Sequence, residues 1–205
     1  MKSQSNRFLL VLLLGAAGVV RAQKVPADAA AAMAQAMAVL GQTAEKGAAS
    51  GAVDAKEMRA LLPEKDAFAG FKRVKAGTES NAMMGFKVVV ANADFEAIEG
   101  DARFSVQYTD IGALGAFAKM AMSMQEVDEE TETGFRRTTT YAGFKALEEY
   151  DSADKSAKVQ IFAGDHVAIE VKATGTSFET VKQIIAKIDL KKLAALKAVP
   201  APAAE

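Results

Sequence analysis

From Arg103 to Thr109 the chain alternates, with Phe104, Val106 and Tyr108 apolar and Arg103, Ser105, Gln107 and Thr109 polar. Successive side chains of a strand point to opposite faces, so this period of two predicts a strand with one face buried. A similar pattern places Phe86, Val88 and Val90 on one side of Lys87 and Val89. Strand character returns in Phe135 to Tyr141 and in Phe144 to Tyr150, divided at Gly143. The clearest hairpin sets Val159 and Ile161 on one strand and Val167, Ile169 and Val171 on the next, with Glu170 and Lys172 pointing the other way and Gly164-Asp165 as turn residues.

Between these runs the period lengthens. Leu114, Phe117, Ala118, Ala121 and Met124 recur at helical spacing, with Asp110 placed as N-cap. Phe178, Val181, Ile184, Ile185 and Ile188 form a continuous apolar stripe behind Thr176-Ser177-Phe178-Glu179, which has capping-box spacing. Leu190, Leu193 and Leu196 extend that helix or start a short second one. Asp54-Ala55-Lys56-Glu57 offers another N-cap, followed by Met58, Leu61 and Leu62 before Pro63 stops the turn. One-faced strands and one-faced helices predict an α+β fold, a single antiparallel sheet of about six or seven strands with amphipathic helices packed on it. Phe104 to Met124 and Val167 to Ile188 repeat the order strand, turn, capped helix.

The N-terminus follows a different pattern. Lys2 and Arg7 precede the uncharged run FLLVLLLGAAGVV, Phe8 to Val20, and Val20-Arg21-Ala22 has the residue sizes of a cleavage site. That three-part layout predicts a secretory signal peptide over 1–22 with a mature start at Gln23, and export across a bacterial-type membrane to the periplasm or the medium. The run is shorter than the roughly 20 residues a spanning helix needs, and no later segment is long and uncharged enough, so no integral membrane domain is expected in the mature chain. Residues 23–53 read as an Ala-rich helical lead-in and linker, held by few large apolar residues (Met33, Met37, Val39, Leu40) and interrupted by Gly47 and Gly51. The α+β domain is expected over 54–197, and 198–205 as a disordered Pro/Ala-rich tail.

Half the residues are hydrophobic and a quarter charged, which is a globular composition. The formal charge is −1, and losing Lys2, Arg7 and Arg21 with the signal peptide leaves about −4. No basic stripe with interleaved aromatics is present, so nucleic acid is not expected as a partner. The chain has no cysteine, which excludes disulfides, thiol catalysis, thiolate metal sites and lipid attachment through a terminal cysteine.

Candidate chemistry is sparse. His166 is the only histidine, so mechanisms needing paired imidazoles are excluded, and no G-x-S-x-G elbow exists to pair with it. Met120, Met122 and Met124 form the M-x-M-x-M pattern of a copper(I) site, although on a helix only Met120 and Met124 share a face, the one bearing Phe117 and Ala121. Glu126, Asp128, Glu129, Glu130 and Glu132 are dense enough to suggest calcium but lack the glycine and ligand order of a calcium loop, and Arg136 and Arg137 stand ready to neutralise them. Asp110 with Thr109 stands where a helix N-terminus would meet an anion, but its own carboxylate competes for those donors. Gly70, Gly77 and Gly85 are too scattered for a phosphate loop. Paired acids for glycoside hydrolysis cannot be placed by spacing, and the absence of tryptophan weakens sugar stacking. No catalytic, cofactor-binding or metal-ligating residue is assigned, and no cofactor is expected.

The layout, together with TDIGALGAFAKM and the DHVAIEV to TVKQIIAKI ending, resembles exported bacterial proteins of unassigned function, and the topology is similar to the Mog1/PsbP-like sandwich over roughly 55–195. The resemblance implies no activity and no functional residue. Export, a complete core and missing catalytic constellations favour a non-enzymatic binding or interaction module of the cell envelope, taking an envelope protein or a small apolar ligand on the sheet or between sheet and helices. The alternative is a periplasmic hydrolase whose acidic and hydroxyl residues assemble only in three dimensions. A third reading makes Ala27 to Ala49 a docking arm.

Overall fold

In the computed structural model, residues 52–83, 86–112, 126–164 and 166–199 are described. The signal peptide, nearly all of the Ala-rich lead-in, the helix expected up to Met124, the methionine triplet, Gly85, Asp165 and the last residues of the tail lie outside them. Elements follow in the order β1 (Ala52–Val53), α1 (Ala55–Ala60), β2 (Phe71–Met83), β3 (Phe86–Ala97), β4 (Arg103–Asp110), β5 (Asp128–Glu130), β6 (Gly134–Tyr141), β7 (Phe144–Asp151), β8 (Ser156–Ala163), β9 (Val167–Thr174), α2 (Phe178–Ala186), α3 (Leu190–Ala195) and β10 (Ala198–Val199). The fold is therefore α+β, mostly one antiparallel sheet with a few short helices.

That sheet has eight strands rather than six or seven, in the order β2-β3-β4-β9-β8-β7-β6-β5. The two strands absent from the sequence reading are its edges. β2 is rich in small and polar residues and takes its identity from pairing with β3 along its length, with a bulge between Arg73 and Lys75. β5 lies in the acidic connector, where Glu129 pairs with Arg136 and Asp128 with Arg137. Separately, β1 pairs with β10, joining residues on either side of the 54–197 segment.

Cross-strand registers divide the sheet into two faces. The covered face carries Val89, Ala91, Ala93 and Phe95 of β3; Phe104, Val106 and Tyr108 of β4; Val167, Ile169 and Val171 of β9; and Val159 and Ile161 of β8, all buried. In β3 this is the opposite phase to the expected one: Val89 points inward, and Val88 and Val90 are half-buried on the other side. Ala91 and Ala93 set that phase through their pairing with Tyr108 and Val106, a signal that small side chains do not give in sequence. The opposite face carries polar rows, among them Lys158 and Lys172 against Glu170 at 3.8 and 2.5 Å.

The helices close the covered face. α1 packs over β2 and β3, α2 over β9 and α3 over β8. Asp54 caps α1 by accepting from the Lys56 and Glu57 N–H groups, as its spacing predicts, and Met58 is fully buried. α2 buries Phe178, Val181, Ile184 and Ile185. Its cap is Ser177, whose hydroxyl accepts from the Thr180 N–H at 3.2 Å, one residue later than the Thr176–Glu179 box; Glu179 pairs with Lys182 instead. Asp189 caps α3, so Leu190 and Leu193 belong to a separate second helix. No described helix is long and apolar enough to cross a membrane.

Two aromatic clusters stand at opposite sides of the sheet. Phe95 stacks on Phe104 at 4.6 Å, with Phe68 and Phe71 edge-on to Phe104. Phe135, Tyr150 and Phe178 form the second, with Phe178 edge-on to Phe135 at 4.9 Å. β6 and β7 beside it are joined by Ala142 and Gly143 at φ 52° and 87°, the doubly left-handed pair that matches strand twist in a two-residue hairpin.

Candidate functional site

One row of the covered face changes chemistry partway across the sheet. Ala93, Val106, Val171 and Val159 stand side by side on β3, β4, β9 and β8, and the next two residues in the row are Glu148 of β7 and Arg137 of β6. Glu148 is only 2% exposed, so its charge has little water and must be met by protein donors. Arg137 Nε donates to Oε2 at 2.8 Å, and the Tyr141 hydroxyl donates to Oε1 at 2.5 Å. The Arg137 guanidinium also lies 4.3 Å above the Phe135 ring. Burial, then the hydrogen bond and charge of Glu148, push the Tyr141 phenol above its ordinary value, so it is a neutral donor at physiological pH.

Tyr141 has a second role as one wall of a groove. Tyr141 and Ala142, at the β6–β7 turn, face the segment Ile185 to Lys191 that ends α2 and begins α3, and the groove between them encloses about 520 Å³. Ile185, Ile188 and Leu190, which the apolar stripe aims inward, give it an apolar floor. Lys187 and Lys191 give it a cationic rim. The intervening Asp189 accepts from the Lys192 N–H at 2.9 Å and pairs with the Lys192 ammonium at 3.1 Å; it also feels the charge of Lys191, but among the described residues no carboxylate forms an ion pair with Lys187 or Lys191.

A smaller depression of about 310 Å³ lies among Lys56, Arg59, Leu62, Glu64 and Arg73, where Arg73 donates to the Pro63 carbonyl at 2.7 Å. The Arg73 bond fastens the loop after α1 to β2, and Glu64 opposes the basic residues beside it.

Among the described residues, those singled out by sequence as candidate sites do not converge on either depression. Asp110 accepts from Gly112 N–H at 2.9 Å, two residues on, and from Val53 N–H at 2.6 Å, which fastens β1 to the end of β4; the helix it was expected to cap lies outside the described residues. Both carboxylate oxygens are thereby engaged, and the Thr109 hydroxyl accepts from Gln107 at 3.2 Å. His166 sits in the β8–β9 turn, with its carbonyl accepting from Ile111 N–H at 2.8 Å and its buried Nε2 without a hydrogen-bond partner among the described residues. Of the acidic connector, Glu129 faces Arg136 at 4.0 Å in a ladder with Glu149, while Glu126, Asp128, Glu130 and Glu132 are exposed. No group of three or more His, Asp or Glu among the described residues is arranged to hold a metal ion. Gly70 and Gly77 stand at the start and middle of the β2 region, apart from one another.

The sequence reading missed Glu148 and Tyr141, and named Arg137 only as a counter-charge to the acidic connector, whereas its guanidinium pairs with Glu148. Alternation in Phe144-Lys145-Ala146-Leu147-Glu148-Glu149-Tyr150 puts Glu148 on the side of Ala146 and Tyr150, and that placement is the signal that finds it. No family model matches the chain, nor does any curated protein or solved structure.

Proposed function

We propose that this is an exported, non-enzymatic binding module of the cell envelope, released by cleavage before Gln23 and built on a sheet-and-helix layout of the Mog1/PsbP-like kind. Its ligand is a small apolar molecule carrying an anionic end, held in the groove between the β6–β7 turn and the α2–α3 junction. The observation that carries the reading is an apolar floor of Ile185, Ile188 and Leu190 beneath two exposed lysines that form no ion pair among the described residues, beside a tyrosine wall fixed from behind by Glu148 and Arg137. Apolar lining with a few placed polar groups is the usual chemistry of small-molecule sites.

The hydrolase alternative draws on Glu148, a carboxylate buried beside the groove. A general acid or base must reach the proton it moves. Both Glu148 oxygens are occupied by Arg137 and Tyr141, and a substrate in the groove meets the phenol rather than the carboxylate. That arrangement supports positioning of the wall over catalysis.

Calorimetric titration with dodecanoate and dodecanol separates the two parts of the claim. Dodecanoate is expected to bind, with affinity falling as salt rises, because the lysine rim is screened. Replacing Lys187 and Lys191 together with alanine is expected to weaken dodecanoate about tenfold and leave dodecanol within about twofold. Equal binding of both probes to wild type and variant would remove the anionic end from the proposal, and no binding of either would remove the groove.

A further inference from the structure

The two edges of the main sheet are unlike each other. At one edge β5 is three residues long, and all three, Asp128, Glu129 and Glu130, are acidic. Short length and dense charge keep foreign strands from adding there. At the other edge β2 runs for 13 residues and pairs only with β3, leaving its outer backbone groups without a strand partner among the described residues. Its first turn of sequence is guarded: Lys72, Arg73 and Lys75 surround a bulge at Val74, which is 47% exposed. Past the bulge, Ala76 to Asn81 carries no proline and one charge, Glu79.

We propose that this outer edge of β2 is a self-association surface, on which a second copy of the chain adds its own β2 antiparallel with the two-fold axis at Gly77. The register follows from charge. Lys75 and Glu79 lie on the same, polar face of the sheet, opposite Asp94 and Val90 of β3, and both are exposed with no ion pair among the described residues. An isologous contact places residue i against j and j against i. Centred on Gly77, the pairing sets Lys75 against the partner's Glu79 and repeats the pair across the axis. Moving the centre to Lys75 sets that lysine against itself, and moving it to Glu79 sets two glutamates together, arrangements that directly opposed like charges disfavour. Gly77 puts no side chain on the axis, and a Cβ there would meet only Asn92 Oδ1 at 3.7 Å. The product is one continuous antiparallel sheet through both copies, with the two acidic β5 edges outermost.

Sedimentation equilibrium of the purified protein tests this with charge reversal. Wild type is expected to show a monomer–dimer equilibrium, and Lys75→Glu and Glu79→Lys each to weaken it by about tenfold, since each places two like pairs across the axis. The double variant carrying both changes restores both pairs in reversed sense and is expected to return to within about threefold of wild type. Because the chain has no cysteine, Gly77→Cys introduces a single thiol, and directly opposed antiparallel residues lie at a separation that a disulfide spans. Gly77→Cys is expected to cross-link under mild oxidation much faster than Glu130→Cys on the other edge. A monomer at every concentration, a double variant no better than the single ones, or equal cross-linking at both edges overturns the proposal. The first of these leaves the edge to a strand of another protein.

Discussion

Glu148 and Arg137 are unequal partners. The Glu148 side chain is 3% exposed and the Arg137 side chain 42%, so the arginine can turn to water if its partner is lost, whereas the carboxylate cannot. Arg137→Ala leaves a buried charge with only the Tyr141 hydroxyl and is expected to cost about 3 kcal/mol at neutral pH. Glu148→Gln keeps an acceptor for Tyr141 and is expected to cost about 1 kcal/mol. Urea denaturation of the two variants checks the order, and a larger loss in Glu148→Gln would mean that the arginine, not the carboxylate, is the stranded group. A second residue-scale constraint lies at Gly134, where a Cβ would stand 2.0 Å from the Tyr150 carbonyl oxygen. The contact is with backbone and cannot be relieved by a rotamer change. Gly134→Ala is therefore expected to destabilise by about 3 kcal/mol, read from the same denaturation curves.

Among the elements, the helix caps make the most direct link from sequence to behaviour under acid. Hydrogen bonds from Glu57 and Lys56 N–H hold the Asp54 carboxyl below its ordinary value, and bonds from Lys192 do the same for Asp189. A carboxyl whose folded value is depressed contributes stability that is complete above the unfolded value, near 3.8, and is lost as pH falls through the folded one. Asp189→Asn keeps the cap acceptor and removes the titration. Its deficit relative to wild type is expected to shrink between about pH 5 and pH 2, and a deficit constant over that range would contradict the capping role.

The Asp54 cap, the β8–β9 hairpin and the α2 stripe were legible because each is a local pattern: a carboxylate at fixed spacing, a period of two, a period near 3.6. The edges were not, for opposite reasons. β2 has no alternation to read, since Ala76, Thr78 and Ser80 stand where a half-buried strand would carry larger apolar residues, and β5 looks like a solvated acidic loop until Arg136 and Arg137 are placed opposite it. In β3 the small residues Ala91 and Ala93 concealed the buried phase. The candidate groove was partly legible: its apolar floor belongs to the α2–α3 stripe, while its wall depends on which side of a hairpin Tyr141 and Glu148 share, and that is decided by register across strands distant in sequence.

At the scale of the whole molecule, two features distinguish this protein from a sheet merely covered by helices. The sheet is asymmetric, with an acidic three-residue edge and a long plain one. Its covered face is apolar over most strands and carries the Glu148–Arg137 pair at β7 and β6, beside the groove. The proposed ligand is assigned to that corner, between Tyr141, hydrogen-bonded to Glu148, and the exposed Lys187 and Lys191. Backbone amide chemical shifts of the isotope-labelled protein, followed during titration with dodecanoate, locate the ligand without prior choice of site. The account predicts perturbations confined to Tyr141, Ala142 and Ile185 to Lys191, saturating with one binding curve. Saturable shifts centred anywhere else, or none at all, would contradict it.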